Sequence, residues 1–211
     1  MNKTPIIIRN LGLLPWKIVF DKMNYFVDTR NLKTIDEIWL VEHYPIFTTG
    51  QSEGKLKIDS IRNIPVMASN RGGKITYHGP GQQVIYFLLN LKNNHIDLRK
   101  LLLLIESILL NTLKSFLIFG SSNKTYPGIY VNQKKICSIG LRIKNGCCLH
   151  GCSINVNMNL TPFTYIKPCG LNNIKMTQIN DIQHNITMSM TRKILIKSIQ
   201  MIFNKNIFFL F

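Results

Sequence analysis

The chain has 211 residues, 45% of them hydrophobic, with no linker and no repeat, so residues 1–211 read as a single domain with one sizeable core. Its net charge of +16 points either to acidic partners or to compositional drift of a Lys-, Asn- and Ile-rich surface. Five cysteines without paired zinc-type spacing, and an N-terminal apolar run too short for a signal peptide, point away from a metal site and a secreted protein and toward a reducing cytosol.

In chain order, Ile6 to Asn10 reads as a short strand. Trp16, Val19, Phe20, Met23, Phe26 and Val27 recur at helical spacing, which predicts an amphipathic helix over 15–31. Glu37 to Glu42 reads as a buried strand entering the loop from His43 to Gly50, and Pro65 to Ala68 as another strand. The loop from Arg71 to Gln82 leads into an apolar strand, Val84 to Leu91. A buried helix over 98–116 follows; Glu106, Asn111 and Lys114 interrupt its apolar run, so it is a poor membrane span. Gly128 to Val131, Lys135 to Ile143 and Cys147 to Met158 are three extended segments. The last two are joined by Asn145-Gly146, a pair suited to a tight hairpin because both positions tolerate positive φ. Thr177 to Ile182 begins a short helix, Thr191 to Phe203 forms a C-terminal one, and Ile207 to Phe211 is an apolar packed tail. The mixture has no regular βαβ rhythm, so the fold class is α/β (α+β) with a largely antiparallel sheet.

Three segments carry chemistry. The loop Arg71-Gly72-Gly73-Lys74-Ile75-Thr76-Tyr77-His78-Gly79-Pro80-Gly81-Gln82 sets glycines, which let backbone approach a ligand, beside Arg71, Thr76, Tyr77 and His78 as donors. It is neither a P-loop nor GxGxxG. In the second, Lys135-Ile136-Cys137-Ser138-Ile139-Gly140, period-2 alternation puts Lys135, Cys137 and Ile139 on one face. Lys135 is then either a base in a cleft or a solvated strand-start lysine beside Lys134. In the third, Cys169 stands between Pro168 and Gly170, which presents a thiol at a sharp turn; it is either a structural cysteine, the commoner case for a lone thiol, or a nucleophile, for which it needs a basic neighbour. His150, before Gly151, is open to a binding, basic or structural role.

Together these segments resemble the lipoyl(octanoyl) transferase family, the octanoyl-acyl-carrier-protein:protein octanoyltransferases. The resemblance runs from His43-Tyr44-Pro45-Ile46-Phe47-Thr48-Thr49-Gly50 to Pro168-Cys169-Gly170, with the Arg71 loop, the Lys135 strand and His150-Gly151 in the family's order. It implies the fold of biotin and lipoate protein ligase catalytic domains: a mixed, largely antiparallel sheet flanked by helices. It implies a catalytic Cys169 and Lys135. The substrate pocket it implies comprises Arg71, Gly72, Gly73, Lys74, Ile75, Thr76, Tyr77, His78, Ser138, Ile139, Gly140, Gly151, Cys152 and Ser153, with no metal and no cofactor.

The implied reaction moves an octanoyl group from octanoyl-acyl carrier protein, through an acyl-Cys169 thioester, to a lysine of lipoyl domains, the first step of endogenous lipoate biosynthesis. The implied partners are that carrier, the lipoyl domains of 2-oxoacid dehydrogenase E2 subunits and the glycine cleavage H protein. The implied setting is a cytoplasmic monomer without nucleic-acid or membrane partners. Three other readings are an ATP-using ligase of the same fold, which has no need for a cysteine after Pro168, a nucleic-acid-binding module suggested by charge alone, and a catalytically decayed homologue kept as a binding protein, against which intact Cys169 and Lys135 argue.

Overall fold

The computed structural model describes residues 5–53, 58–123, 125–167 and 174–210. Strand β1 (Ile6–Leu14), helix α1 (Trp16–Thr29) and strand β2 (Asp36–His43) come first, with β1 and β2 parallel. β1 runs four residues beyond the expected Asn10. A register shift between Asn10 and Gly12, where Gly12 has φ +67°, lets the kinked strand keep pairing with β2. The stretch from His43 to Gly50, expected as a loop, contains the fully buried strand β3 (Ile46–Thr49). Its Ile-Phe-Thr-Thr is good strand sequence hidden behind Tyr44-Pro45, a turn signal.

The strands that follow are β4 (Ser60–Ile61), β5 (Ile64–Ala68), β6 (Thr76–His78) and β7 (Gln82–Leu88). Helix α2 (Leu98–Lys114) starts on an Asp97 cap whose carboxylate accepts the Lys100 amide at 2.6 Å. Next come β8 (Ser121–Ser122), β9 (Gly128–Val131), β10 (Lys134–Lys144) and β11 (Cys147–Asn155). The β10–β11 turn has Asn145 at φ +51° and Gly146 at φ +74°, the conformation that this residue pair favours. Between Thr177 and Ile182 there is a single 3-10 turn, Ile179–Asp181. Helix α3 (Met188–Phe203) begins three residues before the expected Thr191, capped by the Thr187 side chain. The apolar tail is a strand, β12 (Ile207–Leu210), paired in parallel with β1. Phe208 and Leu210 remain about half exposed, so it is held by its backbone more than by packing.

Eight strands form one sheet in the order β12-β1-β2-β7-β11-β10-β9-β8, and a small sheet runs β4-β5-β3-β6. In the large sheet only β12/β1 and β1/β2 are parallel, so the expected largely antiparallel, helix-flanked architecture holds. Alternation along the central strands splits the core. Ile38, Leu40, Ile85 and Phe87 face α2 and α3 through Leu101, Ile105, Leu109, Leu195 and Ile199. Trp39, Val41, Val84, Tyr86 and Leu88 face Val19, Met23 and Val27 of α1. The small sheet closes a third cluster of Phe47, Ile75, Tyr77, Met158 and Phe163. It thereby suspends the Arg71 loop over the large sheet. Among the described residues no helix is long and apolar enough to cross a membrane.

Candidate active site

A cavity of about 470 Å³ opens where the Arg71 loop meets β10 and β11. Its walls are Trp16 of α1, residues 71–76 and His78, Val84 and Tyr86 of β7, Leu98 and Leu102 of α2, residues 125–127, Lys135 and residues 138–141 of β10, and residues 150–153 of β11. Of the residues expected from sequence, Arg71 to Thr76, His78, Lys135, Ser138 to Gly140 and Gly151 to Ser153 all face this one space. Tyr77 does not. On β6 it points the other way, into Phe47 and Phe163. Cys169, with Pro168 and Gly170, lies outside the described residues.

The loop is braced from behind. The Arg71 guanidinium donates to the Thr48 carbonyl at 2.7 Å, the Thr48 hydroxyl at 3.1 Å and the Gly72 carbonyl at 3.0 Å. The Gly72 amide donates to Leu141 of β10 at 2.9 Å. Gly50 has to lack a side chain here, since a Cβ would stand 2.1 Å from the Gly73 carbonyl oxygen. Behind the loop, Glu53 accepts the Ile75 amide at 2.6 Å.

Lys135 is 2% exposed and sits at a bulge. Pairing with β9 shifts between Lys135, opposite Tyr130, and Cys137, opposite Ile129. The extra residue breaks the simple alternation expected for this strand. Ile136 and Cys137 both enter the main core, while Lys135 turns to the cavity. The Lys135 Nζ lies 5.5 Å from the centroid of the Tyr130 ring. Its backbone is held by the segment just after the expected nucleophile: the Lys135 amide donates to Lys175 at 2.8 Å, and Thr177 donates to the Lys135 carbonyl at 2.9 Å.

The cavity has no carboxylate in its described lining; its charged side chains are Arg71, Lys74 and Lys135. Two histidines, His78 and His150, stand in its wall, and a third, His43, packs against His78 and Tyr86. The His43 Nδ1 donates to the Leu14 carbonyl at 3.0 Å, its Nε2 accepts from the Tyr86 hydroxyl at 2.9 Å, and burial lowers its pKa to about 4. His78 bonds Gln82 at 2.7 Å; burial first, and then the neighbouring His43, lower it to about 3. His150, at φ +61°, bonds Asn70, and burial, then Arg71 and Arg142, lower it to about 3. All three are neutral at pH 7. Cys152, the thiol in the cavity wall, is pushed well above its ordinary pKa by burial and by Cys137 and Cys148, which makes it a poor nucleophile. Trp16, Tyr86, Leu98 and Leu102 give the site its apolar half. Sequence reasoning missed them because their helices and strand read only as core.

A mixed sheet between helices is the fold of lipoate and biotin protein ligase catalytic domains. Lipoate-protein ligase A bound with ATP superposes with a TM-score of 0.77 at 12% identity, over 100% of this chain and 90% of that one. An archaeal bipartite lipoate protein ligase from Thermoplasma acidophilum, described with its E2 lipoyl domain, gives 0.73 at 11% identity, over 100% and 86%. Biotin protein ligase from Aquifex aeolicus, in complex with biotin and ATP, gives 0.58 at 15% identity, over 94% and 70%. The chain belongs to the lipoyl protein ligase A/B catalytic domain family, whose model matches residues 18–200. It is 53% identical to the octanoyltransferase of Buchnera aphidicola from Acyrthosiphon pisum, over 94% of both chains. It is 45% identical to the octanoyltransferase of an Escherichia coli strain (O17:K52:H18), over 97% of this chain and 96% of that one.

Proposed function

We propose that the protein moves an octanoyl group from an acyl-carrier thioester to a lysine amine of lipoyl domains, through a thioester on Cys169, with Lys135 carrying the proton. The protein is an octanoyltransferase, an acyltransferase of protein lipoylation, as its relatives at 45–53% identity over nearly full length are named. One observation carries the assignment of residues: Lys135 is a buried amine facing the cavity, and its backbone is paired with Lys175 and Thr177, six and eight residues after Cys169.

Each step balances. The Cys169 thiol gives its proton to the Lys135 amine, and the thiolate adds to the thioester carbonyl. The carrier's C–S bond breaks, and its thiolate takes the proton from the Lys135 ammonium. Octanoyl-Cys169 remains. A lysine amine of the lipoyl domain then adds to that carbonyl and loses a proton to Lys135. The amide forms as Cys169 leaves and is reprotonated. An amide lies downhill of a thioester, so no nucleotide is consumed. The tetrahedral oxyanion needs backbone donors. The Gly72 amide is engaged by the Leu141 carbonyl, so the Gly73 amide is the loop's candidate, beside that of Gly170, which lies outside the described residues. Arg71, Lys74, Ile75, Thr76, His78, Ser138, Ile139, Gly140, Gly151, Cys152 and Ser153 form the wall against which the acyl chain and its thioester lie.

Octanoyl-acyl carrier protein is the donor in this reading. The lipoyl domains of 2-oxoacid dehydrogenase E2 subunits and the glycine cleavage H protein are the acceptors. The protein acts as a monomer in the cytoplasm. The test omits nucleotide: octanoyl-carrier, lipoyl domain and enzyme alone should yield octanoyl amide and free carrier thiol in equal amounts. A requirement for ATP, with pyrophosphate released, would refute the reading in favour of a ligase.

A further inference from the structure

A continuous line of buried hydrogen bonds joins the cavity floor to the backbone of Lys135, and the transfer steps above do not use it. His78, in the cavity wall, bonds the Gln82 Oε1 at 2.7 Å. The Gln82 Nε2 donates to the Asn155 Oδ1 at 2.9 Å, and the Asn155 Nδ2 donates to the Thr177 carbonyl at 3.0 Å. Thr177 in turn donates its amide to the Lys135 carbonyl at 2.9 Å. Gln82, Asn155 and Thr177 are 1%, 2% and 3% exposed.

Asn155 stands where this line changes strands. It is the last residue of β11, whose pairing with β10 begins at Ile154 opposite Cys137. Beyond that point β11 no longer flanks β10, and Lys135 takes Met176 as a parallel neighbour instead. The Asn155 side chain spans the junction. One of its amide atoms is fixed by the sheet through Gln82, and the other holds the replacement neighbour in place. An apolar residue here would leave the Thr177 carbonyl and the Gln82 amide buried without this partner.

We propose that Asn155 is a positioning residue for the transfer: it sets segment 175–177 beside Lys135 and so fixes where Lys135 stands relative to the chain that carries Cys169. The inference rests on the Cys169–Lys135 reading. Gln82 extends the same hold to His78 and the cavity floor.

The test measures acylation of Cys169 by an octanoyl thioester in single turnovers, read by intact-protein mass spectrometry, and steady-state kcat and KM for the donor. Asn155→Asp keeps an acceptor for Gln82, replaces the donor to Thr177 with an acceptor oxygen and adds a buried charge. Asn155→Asp and Asn155→Ala should each lower the acylation rate and kcat by about 10²-fold, the cost of misplacing a reacting group by about 1 Å, with KM for the donor little changed. In a Lys135→Ala background neither change should cost more, because the group that Asn155 positions is gone. Losses that multiply in that background, or full activity in Asn155→Asp, would overturn the proposal. If Asn155→Ala fails to fold, Asn155→Asp carries the same comparison. Wild-type acylation in Lys135→Ala alone defeats the Lys135 reading itself, which is a separate result.

Discussion

The neighbouring histidines His43, His78 and His150 show how single residues are tuned by burial. His43, His78 and His150 are lowered from the ordinary 6.5 to about 4, 3 and 3, in each case chiefly because burial disfavours the imidazolium. A depressed pKa stabilises the fold fully above the unfolded value and less as pH falls toward the folded one. Between pH 6.5 and 4 the unfolded chain therefore binds more protons than the native one. Each histidine contributes a slope of up to about 1.4 kcal/mol per pH unit. Urea unfolding should show stability falling as pH drops from 7 to 5, with a shallower slope in His43→Gln. A flat profile, or an unchanged slope in that variant, contradicts the assignment. The polar residues of the 71–78 loop were legible from sequence because glycine-rich loops collect function. The direction of Tyr77 was not, since it depends on a three-residue strand, β6, that exists only by pairing with β3. The apolar wall of Trp16, Tyr86 and Leu102 was equally hidden, because a residue lining a cavity and one lining a core have the same pattern.

Among the elements, those with local causes were readable. The helix over residues 98–114 follows from its apolar spacing, and the β10–β11 hairpin from Asn145-Gly146. Strands β3 and β12 draw their stability from distant partners, β5 and β6 for one and β1 for the other, and so left little local trace. The bulge at Lys135 is the most consequential feature of this kind. Period-2 reasoning put Lys135 and Cys137 on one face, and the bulge separates them. The bulge also depends on Gly128 of β9: a Cβ there would meet the Cys137 carbonyl oxygen at 2.4 Å and the Lys135 Cε at 2.5 Å. Gly128→Ala should displace the Lys135 side chain. Acylation of Cys169 is expected to drop by about 10²-fold while far-ultraviolet circular dichroism stays native. Wild-type acylation in that variant would show that the close approach does not matter.

Across the whole molecule, the net charge of +16 surrounds a cavity whose described charged lining is entirely cationic. If both substrates arrive on acidic protein carriers, this field steers them, and screening by salt should weaken the encounter. kcat/KM for the carrier-bound donor should therefore fall steadily with ionic strength, while a small octanoyl thioester without a carrier shows little dependence. Equal salt responses for the two donors would return the charge to compositional drift. The fold itself joins two parallel strand pairs to an otherwise antiparallel sheet, and the cavity forms where the small sheet hangs its loop over β10 and β11. That meeting brings Lys135 and residues distant in sequence into one chamber.

The most direct test of the account is to trap the intermediate. Protein incubated with an octanoyl thioester and no acceptor, then digested, should carry one octanoyl group as a thioester on Cys169. It should carry none in Cys169→Ala, and should acylate far more slowly in Lys135→Ala. An octanoyl group that appears on another residue, or that persists in Cys169→Ala, would contradict the account.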